Sequence, residues 1–375
     1  MLIKEISKYI EDWAPAGAAW ENDNVGFQVT ADEKELSNIL LCLDVTFDAL
    51  KEAKKKNCNL VVSHHPLIFK PLKKIDPAND EKSAMIEFAL KNGISIFSAH
   101  TNLDFTKEGV SFALARKLEL NDIEFLTSQK GNQFKIVVFI PENDLLKVSK
   151  AAFEEGAGII GEYKNCSFRL NGLGTFHGSD FSNPYIGEKN NLKEVPEIRL
   201  EVLVDKWKLE KVIEKMIKAH PYEQPAYDVY ELKNRNANYG AGAIGFLQQP
   251  VNADFFLQKV SSSINPNLKF SKSKKKKISK VAVCGGSGSN LLGEAIQNGA
   301  DAFITADIKY HTFQDAENKI LLIDAGHYET EIPVLEVLKR RLTKYLRDRK
   351  SGEKVFKFSQ NRNPVNYFVK NLMIS

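Results

Sequence analysis

Long apolar runs are missing from this 375-residue chain: those at 39–43 and 136–140 stop at five residues, far below the ~18 that a membrane-spanning helix requires. Cysteine is scarce. Cys42, Cys58, Cys166 and Cys284 are scattered, with no CxxC pair, which excludes a short disulfide framework and suits a reducing compartment, so a cytoplasmic protein is expected. Neither sign of charge dominates, since 52 basic residues face 48 acidic ones, and that balance argues against nucleic acid as a partner. The N-terminus lacks the apolar core of a signal peptide. Leu2, Ile3, Ile6, Ile10 and Trp13 recur at helical spacing with Lys4, Glu5, Lys8 and Glu11 between them, the pattern of an amphipathic helix.

What is present is an ordinary globular balance, 43% hydrophobic and 27% charged. A chain of this length and apolar content buries a core, which excludes disorder as its main state; its length suggests two or three domains. The one local charge excess runs from Lys269 through Lys272, Lys274, Lys275, Lys276 and Lys277 to Lys280, interleaved with Ser271, Ser273 and Ser279. No aromatic residue lies between Ser271 and Lys280, and the expectation is a solvated linker rather than a phosphate-backbone site.

Periodicity divides the chain. Short apolar strands at 39–43, 60–63 and 94–98 alternate with helical patterns at 47–56, 85–90 and 112–118, and the rhythm returns after residue 280 with strands at 281–284, 302–305 and 320–324. Strands alternating with helices imply parallel βαβ units. Between them, alternating strands at 134–140, 198–204 and 226–232, with helices at 145–155 and 209–219, suggest a ferredoxin-like α+β domain. The expected architecture is an α/β domain in two halves, 1–126 and 239–375, interrupted by an insertion at 127–238.

Polar residues cluster where the apolar strands stop. Ser63-His64-His65-Pro66 ends one strand, His100-Thr101-Asn102-Leu103-Asp104 follows another, and Gly326-His327-Tyr328-Glu329-Thr330-Glu331 follows a third. Ligands of open parallel sheets bind beyond the carboxyl ends of the strands, so His64, His65, Asp104, His327 and Glu331 are expected along one edge. Imidazole and carboxylate without thiolate suit Zn, Mn or Fe. Adjacent side chains on extended backbone point to opposite sides, so His64 and His65 serve two ions more naturally than one, the arrangement of two-metal hydrolytic sites. Pro333 tolerates only a first helical turn, which places a helix start near Thr330 or Glu331. The bland readings are structural histidines, and Asp104 as the cap of the next helix. His100 and His311 are open to two readings, groups supporting the metal ligands or moving protons, and hydrogen-bonded structural residues. Cys284-Gly285-Gly286-Ser287-Gly288-Ser289 reads as a tight turn near the metals, with anion binding by its amides as the alternative.

These stretches, together with Trp20-Glu21-Asn22-Asp23-Asn24-Val25-Gly26-Phe27-Gln28-Val29 and Thr305-Ala306-Asp307-Ile308-Lys309-Tyr310-His311, resemble the Nif-three-like family, also known as the GTP cyclohydrolase I type 2 family. The resemblance covers essentially the whole chain. In the insertion, Gly172-Leu173-Gly174-Thr175-Phe176, Asn183-Pro184-Tyr185-Ile186-Gly187 and His220-Pro221-Tyr222-Glu223-Gln224-Pro225-Ala226-Tyr227-Asp228 are similar to the PII- and CutA-like domain of the longer bacterial members. Phe27 stands where leucine is commoner, and His177-Gly178-Ser179 replaces an Arg-Pro stretch. The resemblance implies a dinuclear centre held by His64, His65, Asp104, His327 and Glu331, with Glu331 bridging and zinc ahead of manganese or iron. It also implies a homohexameric ring with the metals facing an internal cavity. The function it implies is hydrolysis of a nucleotide-like small molecule, for the family name at C8 of guanine; a phosphoester is the other natural target. The competing expectation is a non-enzymatic metal-binding regulator whose insertion senses a ligand.

Overall fold

A computed structural model describes residues 1–32, 34–128 and 131–367. The chain forms two compact units, one from 1–127 and 239–375, the other from 128–238. In chain order the strands are β1 (Gly26–Val29), β2 (Ile39–Cys42), β3 (Leu60–Ser63), β4 (Ser95–Ser98) and β5 (Asn121–Ser128), then β6 (Gln133–Pro141), β7 (Phe168–His177), β8 (Leu192–Asp205) and β9 (Tyr227–Leu232). β10 (Gly240–Asn252), β11 (Lys269–Phe270), β12 (Lys277–Val283), β13 (Ala302–Thr305), β14 (Leu321–Asp324) and β15 (Val355–Lys357) complete the set.

The first unit carries two sheets. One has the order β1-β4-β3-β2-β15, the other β11-β14-β13-β12-β10-β5. β2, β3, β4 and β15 run parallel, as do β12, β13 and β14, whereas β1, β10 and β11 pair antiparallel at their edges. Every residue of β2, β3, β4, β13 and β14 is buried, which is why these strands read as short unbroken apolar runs. One face of the first sheet is covered by the helix Ile3–Trp13, through Ile3, Ile6 and Ile10, and by Val334–Asp348, through Leu335, Leu338, Leu342 and Leu346. Truncating one such leucine to alanine costs about 2–5 kcal/mol. Helices Phe47–Lys55 and Glu81–Lys91 cover the other face. Their first turns are capped by Thr46 Oγ1, which accepts from the Ala49 amide at 3.1 Å, and Asp80 Oδ2, which accepts from the Ser83 amide at 2.7 Å.

The lysine-rich segment departs from the expected linker. Lys269–Phe270 and Lys277–Val283 are strands, so both ends of the run lie in the second sheet. Ile278 is fully buried among the lysines, and Ser271 is buried with its hydroxyl donating to the Ile320 carbonyl at 3.2 Å. Lys275 pairs with Asp301 at 3.1 Å. In the first half of Lys277–Val283 a lone inward apolar position, Ile278, extends the buried run Val281–Val283 back among the lysines, and charge composition hides it.

The inserted unit runs β6, helix Leu145–Glu154, β7, β8, helix Leu209–Ala219, β9. Its sheet order, β7-β8-β6-β9, and its wholly antiparallel pairing are those of a ferredoxin-like fold. Ile136, Val138 and Ile140 meet Leu200, Val202 and Val204 under Val148, Ala152, Val212 and Met216 of the two helices. The protein is thus a split α/β unit with parallel-rich sheets, interrupted by an α+β insertion. Among the described residues no helix is long and apolar enough to cross a membrane.

Candidate metal centre

The carboxyl ends of five parallel strands converge in the first unit. His64 and His65 follow β3, His100 follows β4 and Asp44 follows β2, while Asp307 follows β13 and His327 follows β14. The expected single edge is therefore a junction of two sheets. The ends of the strands face one another: side chains following β2 and β3 meet those following β13 and β14.

Each histidine is fixed through Nδ1. His65 Nδ1 donates to Asp44 Oδ1 at 2.8 Å, His327 Nδ1 to Asp307 Oδ2 at 2.6 Å, and His100 Nδ1 to Asp23 Oδ1 at 2.9 Å. His64 Nδ1 donates to the Ala99 carbonyl at 2.8 Å. Such partners orient the ring and direct Nε2 elsewhere. His65 Nε2 and His327 Nε2 each stand 3.0 Å from a different oxygen of Glu331, and His64 Nε2 lies 3.6 Å from Asp104 Oδ1 and 3.7 Å from Glu331 Oε1. Two sets of side chains have donor atoms within 4.8 Å of one another, close enough to hold a metal ion: His64, His65 and His100, and His65, His327 and Glu331.

Burial and charge act together here. His64 is fully buried and Glu331 is 3% exposed. Burial alone would lower the pKa of His65, but Asp44 and Glu331 outweigh it and raise the value to about 10. The hydrogen bond to Glu331 raises His327 to about 9 against burial, with Asp307 adding to it. Burial would raise Glu331, yet His64, His327 and His65 hold it well below the usual carboxylate range. Asp104 moves the other way, to about 6, because burial and the nearby Glu331 outweigh His64 and His100. Burial also opposes ionisation of Asp23, but bonds from His100 and Thr101 bring it down to about 2.

The donor set fits bound metal on an observation of its own. His64 Nε2 and Asp104 Oδ1 are buried polar atoms with no hydrogen-bond partner, a costly condition that an ion between them would relieve. Gly286, with φ +62°, clears the space beside Glu331: a Cβ there would lie 2.3 Å from Glu331 Oε1 and 3.4 Å from His327 Nε2. The amides of Gly285, Gly286 and Gly288 donate to the hydroxyls of Ser111, Thr330 and Thr305. This turn abuts the cluster, and those three amides are already taken, so none of them is free for an anion.

Three sequence expectations change in detail. Helix His327–Glu331 starts four residues before Glu331, and Pro333 opens the separate helix Val334–Asp348; the two candidate ligands therefore share one helical turn. Asp104 ends the short helix Thr101–Asp104 and caps nothing, since Gly109 stands at the N-cap of Val110–Lys117. His311 is exposed on helix Tyr310–Ala316, with Nδ1 3.0 Å from Gln314 Oε1, and its ring packs on Tyr310. His100 sits inside the cluster, its ring 5.3 Å from His64 and 5.7 Å from His65. Sequence reasoning assigned no role to Asp23, Asp44 and Asp307. The available signal was position: Asp44 and Asp307 follow strands just as the histidines do.

A family model described as Duf34/NIF3 (NGG1p interacting factor 3) matches residues 1–364. The chain is 36% identical over 365 residues to a GTP cyclohydrolase 1 type 2 homolog of Halalkalibacterium halodurans, covering 96% of this chain and 98% of that one. It is 35% identical over 367 residues to the Bacillus subtilis protein of the same name, covering 97% and 98%. Among solved structures, a Bacillus cereus protein related to NIF3 superposes with a TM-score of 0.82 at 34% identity, over 98% of this chain and 99% of that one. A Staphylococcus aureus protein gives 0.77 at 28% identity, over 98% and 99%. With the match running from the first residue to beyond both halves of the histidine–carboxylate cluster, this chain belongs to the Duf34/NIF3 family.

Proposed function

We propose that this protein holds two divalent metal ions per chain and uses them to hydrolyse a nucleotide-like small molecule. The observation that carries the reading is the shared orientation of the histidines: Nδ1 is tied outward on each, and the Nε2 atoms of His64, His65 and His327 converge on Glu331. On this reading His64 and Asp104 would hold one ion, His65 and His327 would hold the other, and Glu331 would serve both. A set of imidazoles and carboxylates without thiolate favours zinc, with manganese or iron as substitutes. Two such ions supply a nucleophilic water at neutral pH and an electrostatic clamp for the developing negative charge.

The chain's own residues complete the chemistry. Asp44 and Asp307 keep the imidazoles of His65 and His327 aligned. His100, held by the ionised Asp23, is the group placed to pass a proton to or from a substrate at the cluster. The relatives' name suggests a guanine nucleotide as substrate. Four free cysteines support a cytoplasmic setting, and a hexameric ring is the assembly the family resemblance suggests, open to light scattering.

The test is elemental analysis of protein purified without chelator, followed by incubation with GTP and a nucleotide panel, with formate and phosphate as readouts. Wild type should carry about two ions per chain and turn over one of the nucleotides, and a His65→Ala, His327→Ala variant should do neither. Metal-free protein that takes up no Zn, Mn or Fe would overturn the reading. Loaded protein without turnover would leave the metal sites standing and remove the enzyme.

A further inference from the structure

A cavity of about 600 Å³ opens in the inserted unit, walled by β7 and β8, the 182–185 loop and the turn after helix Leu209–Ala219. One of its lining residues is Glu197 on β8, only 9% exposed. Glu197 lies opposite Gly172 in the strand register, and its carboxylate leans over Gly174. A Cβ at Gly174 would stand 2.0 Å from Glu197 Oε2 and 2.7 Å from Cδ. The bare glycine is what lets a carboxylate lie against β7.

The surroundings fix that carboxylate and leave half of it free. Oε1 accepts from the Tyr222 hydroxyl at 2.8 Å, and Oε2 accepts from no described residue. Tyr222 is itself held, since its amide donates to His220 Nδ1 at 3.1 Å and His220 Nε2 donates to the Phe139 carbonyl at 3.0 Å. The Asn183 amide donates to Glu223 at 3.2 Å and ties the covering loop to the same turn. Phe176 and Tyr185 stand beside Tyr222, with ring centres 6.2 and 6.3 Å away.

Charge selects the ligand class. Arg199 is the one lysine or arginine in the lining, and it is engaged elsewhere, 3.0 Å from Glu201 and over the Phe139 ring. A largely buried carboxylate with an open oxygen and no ion-pair partner among the described residues attracts a cation, and aromatic faces do the same. A phosphate would meet Glu197 and Glu223 with no free cation to offset them.

We propose that this cavity binds a small organic ammonium ion, whose N–H donates to Glu197 Oε2 while its apolar body packs among Phe176, Tyr185 and Tyr222. The site lies wholly within the inserted unit and does not depend on the metal centre.

The experiment is a charge series on the full chain by ligand-observed NMR, using phenethylamine, 2-phenylethanol and phenylacetate as near-isosteric probes. Phenethylamine should bind at least tenfold more tightly than the other two. Glu197→Gln, which keeps an acceptor for Tyr222, should weaken it at least tenfold, and His65→Ala should leave it unchanged. The proposal is overturned if the neutral or anionic probe binds as well as the amine. It is equally overturned if no amine binding is seen up to about 10 mM, or if folded Glu197→Gln binds like wild type. The charge series on wild type decides the matter even where the variant does not fold.

Discussion

The two histidine–carboxylate groups at the sheet junction share Glu331 and differ in almost everything else. His64 is fully buried, and its Nε2 finds only carboxylate oxygens at 3.6 and 3.7 Å, too far for a hydrogen bond. The side chains of His65 and His327 are 25% and 40% exposed, and both Nε2 atoms already reach Glu331 at 3.0 Å. Protons can satisfy the open group in a metal-free chain. In the buried one His64 Nε2 stays beyond hydrogen-bond distance of both carboxylates, so an ion would relieve more there and would have a poorer route of escape.

The largest effect expected is at the shared carboxylate. Glu331→Gln removes a ligand from both groups at once, and elemental analysis should fall from about two ions per chain to nearly none. Retention of one ion would show that Glu331 serves a single group and that the comparison is drawn in the wrong place. Next come the single histidine variants, each expected to retain about one ion. The asymmetry predicts their order under chelator: the ion remaining in His327→Ala, held by the buried group, should leave at least tenfold more slowly than the ion remaining in His64→Ala. Equal release rates would break the distinction between buried and open groups.

Titration sharpens the same contrast. In the metal-free chain the pKa values of His65 and His327 are raised to about 10 and about 9, so both rings are protonated at pH 7. A raised histidine stabilises the fold fully below its unfolded value, ~6.5, and loses that contribution as pH climbs through the folded value. Metal-free protein should therefore lose thermal stability between pH 7 and pH 10 from these two residues. Ions must displace their protons, and His64 is raised as well, by Asp104 and Glu331 against burial, so uptake of Zn at pH 7 should release at least about two protons per chain, and affinity should rise with pH over the same window. Calorimetry in two buffers of different ionisation enthalpy measures the release. A value of zero would place the open group's nitrogens outside the metal site.

The parts of this arrangement legible in the sequence were those with a local signature. His64, His65, Asp104, His327 and Glu331 stand where fully buried strands stop, and an apolar run that ends in imidazole or carboxylate is visible without any tertiary information. Asp23, Asp44 and Asp307 were not legible as partners, because an isolated aspartate beside a strand looks like a turn or cap. Their meaning lies in pairings 77, 21 and 20 residues distant. The first half of the strand Lys277–Val283 was hidden for a related reason, since it presents Ile278 inward and lysines outward and composition weighs the lysines, whereas the apolar run from Val281 was legible. The helix start at His327 was misplaced because Pro333 fits the first turn of a following helix as well as that of a merged one.

His311 supplies the smallest predicted effect and the cleanest control. It belongs to the same stretch, Thr305–His311, that provides Asp307, yet it lies on the exposed side of helix Tyr310–Ala316 with Gln314 and Tyr310 as its contacts. An exposed hydrogen bond of that kind is worth little, so His311→Ala should change stability by no more than about 0.5 kcal/mol. Metal content and the chelator release rates should match wild type. Loss of an ion in this variant would mean that the helix beyond β13 reaches the cluster in solution, and the open group would then need a ligand from that helix added to His65, His327 and Glu331. Unchanged metal content with lost turnover would instead assign His311 a part in substrate handling, separate from the ligands that hold the ions.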